Sequence, residues 1–207
     1  MVKVIQISVG GFDNNFSYIV LGKGQNSKRG VLIDPTGNKD AIESELEKHN
    51  AKIKLQLFTH NHPDHTELFA YFKSKGIKSY NPKPASLGKK EFITVAGLKI
   101  EVIHTPGHTK EGVCFIIENN IFTGDTLFVR GIGTTAYGGN DKELTNTLNF
   151  LFTLNQNLIL YPGHNYGGAS EKLGAALLNS HLKPNEKILK LIKNKVAEYE
   201  AKQKNKF

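Results

Sequence analysis

The chain has 207 residues, 39% of them hydrophobic, and its 27 basic against 19 acidic side chains give a net charge of +8 and a pI near 9.4. That length and apolar content suit one domain, residues 1–207, with one substantial core, and no 20-residue apolar stretch offers a membrane span. A start of Met1-Val2-Lys3-Val4-Ile5-Gln6 without a signal-peptide pattern, and a single cysteine, Cys114, which excludes an internal disulfide, point to a reducing cytoplasm.

In chain order, strands are expected over 2–9, 17–21 and 30–33, then a helix over 38–49 and an apolar strand over 53–58. The polar stretch 22–30 reads as a hairpin connection. A helix over 67–75, extended segments over 97–103 and 113–122, a helix over 142–153 and a short strand over 158–161 follow, then helices over 171–179 and from 184 to about 202. Such mixing suits an α/β fold of sheets covered by helices. The loop 134–141 is expected to border the site. Within 183–207 eight lysines stand against three glutamates, a net of +5 on a solvated terminal helical segment. The positive charge favours anionic partners. Arg29 and Arg130 are the only arginines, which argues against the interleaved arginines and aromatics of a nucleic-acid groove.

The densest chemistry lies directly after the 53–58 strand. Thr59-His60-Asn61-His62-Pro63-Asp64-His65 sets three imidazoles and a carboxylate within six residues, a donor set suited to Zn²⁺ or Fe²⁺. A helix could not converge all four, and the spacing is not the helical H-E-x-x-H pattern, so a loop site is expected. Three more segments place a potential ligand in tight-turn chemistry after an apolar run: Thr105-Pro106-Gly107-His108-Thr109, Phe122-Thr123-Gly124-Asp125-Thr126 and Tyr161-Pro162-Gly163-His164-Asn165. In each a glycine directly precedes the ligand, permitting a sharp turn or a close backbone approach. Four loops are thus expected to meet at one end of a sheet. Cys114 reads as a small core residue, His49 as a helix-end or surface residue, His104 as a strand-end neighbour of the site, and His181 as a histidine outside the metal pattern, with the substrate cleft the lesser of its readings.

His60-x-His62-x-Asp64-His65 followed by His108, Asp125 and His164 resembles the metallo-β-lactamase superfamily over most of the chain. Within it, Thr59 to His65, Pro106-Gly107-His108-Thr109, Phe122-Thr123-Gly124-Asp125-Thr126-Leu127-Phe128 and Pro162-Gly163-His164-Asn165-Tyr166-Gly167 resemble the glyoxalase II and persulfide dioxygenase branch. The resemblance implies a four-layer αββα sandwich and two divalent metal ions, zinc or else iron or manganese. His60, His62 and His108 would hold one, Asp64, His65 and His164 the other, and Asp125 would bridge them. An aspartate at 125 sets the chain apart from true β-lactamases.

The activity so implied is hydrolysis of a glutathione-type thioester, an anionic thiol-derived small molecule, by a metal-activated hydroxide. Asp125 and Asp64 are the catalytic carboxylates, Asp64 also orienting the nucleophile, and Arg130, Tyr137 and Tyr166 are the candidate substrate contacts. A persulfide dioxygenase of the same branch would instead use a single Fe(II) on His60, His108 and Asp125, with open positions for sulfur substrate and O₂. Arg130 resembles an arginine of the dioxygenases, whereas the short chain and Gly138-Gly139 resemble single-domain hydrolases. A metal-dependent nuclease would fit the charge but calls for a further module. Gly133-Thr134-Thr135-Ala136 stands where relatives carry a G-R-T-D-like stretch, a departure that bears on substrate identity.

Overall fold

The computed structural model describes residues 1–11 and 13–180. The basic segment from 183, the expected helix from 184 and His181, for which the cleft is the lesser reading, lie outside the described residues. The first sheet holds β1 (Lys3–Gly10), β2 (Asn15–Leu21), β3 (Arg29–Ile33), β4 (Lys52–Leu57) and β5 (Lys78–Tyr80) in that spatial order. Its first three strands are antiparallel, and β3, β4 and β5 run parallel. The second sheet runs β11 (Glu171–Lys172), β10 (Ile159–Pro162), β9 (Asn120–Gly124), β8 (Val113–Ile117), β7 (Leu98–His104), β6 (Lys90–Val95), all neighbours antiparallel except β9 and β10.

Alternation along β2 shows how the layers form. Phe16, Tyr18 and Val20 point into the space between the sheets with Val31, Ile33 and Leu57, meeting Ile100, Val102, Phe115 and Phe122 of the second sheet. Ile19 and Leu21 face outward and are covered by Ile42 of α1 (Lys39–Lys48) and Phe72 of α3 (Phe69–Ser74). A strand buried on both faces reads as a continuous apolar run, as Asn15–Leu21 does. On the far side, Leu144, Leu148 and Leu151 of α4 (Asp141–Leu151) and Leu173, Ala176 and Leu177 of α5 (Leu173–Asn179) pack over Cys114, Ile121 and Leu160. The expected αββα sandwich is therefore the observed one, and Cys114 is core. Among the described residues no helix is long and apolar enough to cross a membrane.

Several elements differ from expectation. The extended segment 113–122 is a hairpin, β8 and β9, turning at Glu118, whose φ is +55°. The helix expected over 67–75 is shorter, and one turn of helix, α2 (Pro63–Thr66), precedes it, carrying Asp64 and His65. The last three residues of the His-rich heptad are thus helical rather than loop, because Pro63 at the first helical position presets φ and needs no N–H partner. The helix expected over 171–179 starts as the two-residue strand β11.

Candidate metal centre

The strand directions put the carboxyl ends of β3, β4, β7, β9 and β10 and the start of β2 along one edge of the sandwich, the place where α/β sheets bind ligands. Backbone hydrogen bonds fasten the sheets there: Val113 N to Thr59 O at 2.9 Å, Phe16 N to Gly163 O at 2.8 Å and Asn165 N to Asn14 O at 3.1 Å. The seven expected donors all gather at this edge, and each group draws on both sheets. His60, His62 and His108 form one group of converging ligand atoms, Asp64, His65 and His164 another, and Asp125 joins His60 and His65 in a third between them.

The inward atoms stand at close range. His62 Nδ1 lies 3.1 Å from His60 Nε2 and 3.0 Å from His108 Nε2, and His65 Nε2 lies 3.3 Å from His164 Nε2. Asp125 Oδ2 is 3.1 Å from His164 Nε2 and 3.7 Å from His108 Nε2, while its Oδ1 is 3.2 Å from His65 Nε2. Asp64 Oδ2 is 3.4 Å from His164 Nε2 and 3.6 Å from His65 Nε2. One ring nitrogen carries one proton or one lone pair, so His62 Nδ1 cannot hydrogen-bond both neighbours.

The outward nitrogens settle which it is. His108 Nδ1 and His164 Nδ1 each lie 2.6 Å from a backbone carbonyl, those of Thr134 and Asp13. A carbonyl only accepts, so both nitrogens carry the proton. His62 Nε2 faces the Tyr137 carbonyl at 3.4 Å, and His65 Nδ1 faces the Asp34 carboxylate at 3.1 Å. His60 Nδ1 donates to Thr59 Oγ1 at 3.1 Å, whose own proton goes to Asp34 Oδ2 at 2.6 Å. With the outward nitrogens protonated, all five imidazoles in their neutral form turn lone pairs inward, towards two carboxylates, and buried Asp125 Oδ1 has no hydrogen-bond partner. Such a donor set fits divalent cations, and outward partners of this kind orient metal-ligating histidines.

Electrostatics point the same way. Burial, reinforced by His65 and His108, pushes His60 well below the usual histidine range. Burial would also lower His65, yet the carboxylates of Asp125 and Asp34 carry it well above. His164 is pushed up to about 10, its burial outweighed by hydrogen bonds to Asp125 and Asp64. Burial raises Asp125 and Asp64, but His65 and His164 hold both far below the usual carboxylate range. Without an ion, protons on histidine supply part of the positive charge that the carboxylates demand.

Two glycines allow this crowding. Gly124 has φ +50°, and a Cβ on it would lie 2.3 Å from Thr59 Oγ1. A Cβ on Gly163 would lie 2.2 Å from Asp125 Oδ1. Above the donors opens a cleft of about 630 Å³, lined in part by Asp13, Asp64, Glu67, Tyr137 and Tyr166, within the size range of small-molecule sites. Tyr137 is 75% exposed over it. Tyr166 stacks on His164 with ring centroids 5.3 Å apart and donates its phenol proton to Asp13. Arg130 is exposed, packs its aliphatic stem against Gly167, and does not line the cleft. His104 hydrogen-bonds Glu91 at 3.2 Å rather than any of the seven donors, and His49 caps the end of α1.

Sequence reasoning missed Asp34, Asn15 and Asp13. Asn15 Nδ2 donates to the Asp64 backbone carbonyl at 3.0 Å and to its Oδ2 at 3.2 Å, fixing that carboxylate. Asp34 carried a findable signal: Ile33-Asp34-Pro35-Thr36-Gly37 is an apolar strand end followed by turn residues, as at the other sites.

An αββα sandwich that gathers five imidazoles and two carboxylates at the shared edge of its sheets defines a metallo-hydrolase. A family model described as the metallo-beta-lactamase superfamily matches residues 74–164. The probable hydroxyacylglutathione hydrolase glo2 of Schizosaccharomyces pombe is 32% identical over 187 residues, covering 82% of this chain and 71% of that protein. The chain belongs to the metallo-beta-lactamase superfamily. It is also similar to the probable polyketide biosynthesis zinc-dependent hydrolase BaeB of Bacillus velezensis, 27% identical over 198 residues, which cover 88% of this chain and 81% of that one. The crystal structure of ETHE1 from Myxococcus xanthus aligns with a TM-score of 0.70 at 25% identity, covering 94% of this chain and 90% of the other.

Proposed function

We propose that the chain is a glyoxalase II-like thioesterase that cleaves a glutathione-type thioester with two divalent ions. His60, His62 and His108 would hold one ion and Asp64, His65 and His164 the other, with Asp125 available to both. The observation that carries this reading is the pairing of two three-donor groups around one carboxylate, with every outward imidazole nitrogen tied to an acceptor. The hydroxyacylglutathione hydrolase and zinc-dependent hydrolase names of the relatives support the substrate class and zinc as the metal.

When bound, divalent ions supply Lewis-acid polarisation of the thioester carbonyl and an acidified water as nucleophile. The chain's own residues set the stage. Asn15 pins Asp64 so that its carboxylate borders the cleft, where it orients the attacking water. A thiolate is a good leaving group, so no strong acid is needed beside it. Tyr137 and Tyr166 form the walls available to the thiol portion, Tyr166 held in place by Asp13. Arg130, outside the cleft, stays a weaker candidate contact. The single-iron dioxygenase reading uses only His60, His108 and Asp125, and gives no task to His62, which lies as close to His60 as to His108. Metal analysis of the purified protein together with assays on S-lactoylglutathione and glutathione persulfide decides between them. Two ions per chain and release of free thiol without O₂ are expected. One iron per chain with O₂ uptake and no thioesterase activity would overturn the proposal.

A further inference from the structure

The cleft above the donors has two unlike walls. Thr134 and Tyr137 form the one attached to His108 and His62, through their backbone carbonyls. Asp13 and Tyr166 form the one attached to His164, Asp13 through its carbonyl and Tyr166 by stacking. Glu67 stands on this second side. Its Oε2 accepts the Gly37 N–H at 3.1 Å, and Gly37 abuts the turn between β1 and β2, where a Cβ on it would lie 3.0 Å from Gly11 N. Among the described residues no lysine or arginine lines the cleft, in a chain whose net charge is +8. Asp13 and Glu67 also belong to no donor group, so ions bound as proposed would leave their charges unclaimed.

Hydrogen-bond inventory sharpens the contrast. The Asp13 backbone aims its side chain: its N–H goes to Asn15 Oδ1 at 3.2 Å, and its carbonyl takes the His164 Nδ1 proton at 2.6 Å. The Asp13 carboxylate takes the phenol proton of Tyr166, whose ring lies 14° from the plane of His164 and edge-on to Phe128 with centroids 4.7 Å apart. A phenol has one proton, so Tyr166 Oη, having donated to Asp13, has only lone pairs left for a ligand. Thr134 Oγ1 is the opposite case, accepting the Ala136 N–H at 3.2 Å and keeping its own proton to give. The side chains of Asp13, Glu67 and Tyr166 therefore offer acceptors alone. A substrate carboxylate placed against them would meet like charge without a donor, whereas an ammonium would find carboxylate and phenol oxygens together.

We propose that Asp13 is a specificity-determining residue that recognises a cationic, ammonium-type group on the thiol portion of the substrate. This rests on the thioesterase reading above, which it deepens. In a glutathione-type thioester the group is the free α-ammonium of the γ-glutamyl end.

The test takes the zinc-loaded full chain and three acetyl thioesters whose thiol portions differ in charge: acetylthiocholine, positive; S-acetyl-N-acetylcysteamine, neutral; and 3-(acetylthio)propanoate, negative. Each kcat/KM is divided by the rate at which hydroxide alone cleaves that thioester, which removes differences in leaving group. The normalised values should fall in that order in the wild type, the positive substrate leading the neutral by about fivefold, the upper end for an exposed ion pair, and the lead should shrink in high salt. Asp13→Asn, which keeps an acceptor for Tyr166 but no charge, should abolish the lead, and Tyr166→Phe, which keeps the charge, should retain it. Since ratios are compared, a general loss of activity in a variant cancels. A second comparison involves no cleavage: by calorimetry S-methylglutathione should bind the wild type about fivefold more tightly than its N-acetyl derivative, which lacks the ammonium, and Asp13→Asn should bind the two alike. Equal or inverted preferences in the wild type, or a lead that survives in Asp13→Asn, would overturn the proposal. Should Asp13→Asn fail to fold, Asp13→Ser takes its place in both comparisons. If no thioester is cleaved, the thioesterase reading fails separately, and the binding pair still decides whether Asp13 reads the ammonium.

Discussion

Gly163→Ala asks how much the centre depends on a single absent methyl group. Gly163 is not in the positive-φ region, so its backbone accepts alanine without strain, and the perturbation is steric alone. The added Cβ would stand 2.2 Å from Asp125 Oδ1, 2.6 Å from His65 Cε1 and 3.1 Å from the Gly124 carbonyl carbon. Ordinary contact begins near 3.4 Å, so the carboxylate or the backbone must retreat by about 1 Å. The imidazole cannot yield, because Asp34 holds it from behind. Overpacking of this kind costs about 1–3 kcal/mol, which in a chain of this size lowers the melting temperature by about 2–12 °C. The catalytic cost is larger, since a misplacement of about 1 Å costs around 100-fold. The variant should fold, because the Gly163 N–H to Gly124 and the Phe16 N–H to Gly163 are main-chain bonds that alanine keeps. Thermal melting, metal content by mass spectrometry and thioester turnover on the same preparation check this. Wild-type metal content together with wild-type turnover would refute the claim that Asp125 must sit where it does.

Two further outcomes are expected. In the ion-free protein at pH 7.5, His164, pushed up to about 10, carries a second proton that a divalent ion must expel; binding then releases protons and weakens as pH falls, by up to about tenfold per pH unit for each proton displaced. Calorimetry in buffers of different ionisation enthalpy measures the release, and a buffer-independent heat would contradict it. Cys114, fully buried and with its thiol pushed up to about 12 by burial, should resist a thiol reagent at pH 8 in the native state, slower than a free cysteine by on the order of a thousandfold or more, and react stoichiometrically once guanidinium unfolds the chain. Rapid native labelling would mean that the layer between α4 and the second sheet opens readily.

The seven donors were legible because each carries the same local signature, an apolar strand run, turn residues and a titratable side chain. The partners behind them were less so. Thr134, Tyr137 and Asp13 act through backbone carbonyls, which any residue supplies, so their identities carry no signal. Asn15 and Asp34 act through side chains, but Asp34 stands alone in its loop without the histidines that drew notice elsewhere. Similar reasons govern the fold. The β8–β9 turn has neither glycine nor proline at Glu118-Asn119, and Glu118 is held in its left-handed conformation with its carboxylate on the Val2 N–H and Lys23, contacts remote in sequence. Strand β5 has only three residues, too few for a period to emerge. β6 alternates exposed and half-buried positions along Lys90–Val95 and was readable in hindsight by that pattern.

The edge where the two sheets meet has a further consequence. Its donors come from segments far apart in the chain, at 60–65, 108, 125 and 164, and from both sheets. Ions held there would close long loops between those segments, as disulfides do in other small proteins. In a chain whose single cysteine lies unpaired in the core, ions bound as proposed would therefore also be its cross-links, and the groups proposed to carry out the chemistry would be the ones that staple the sandwich shut.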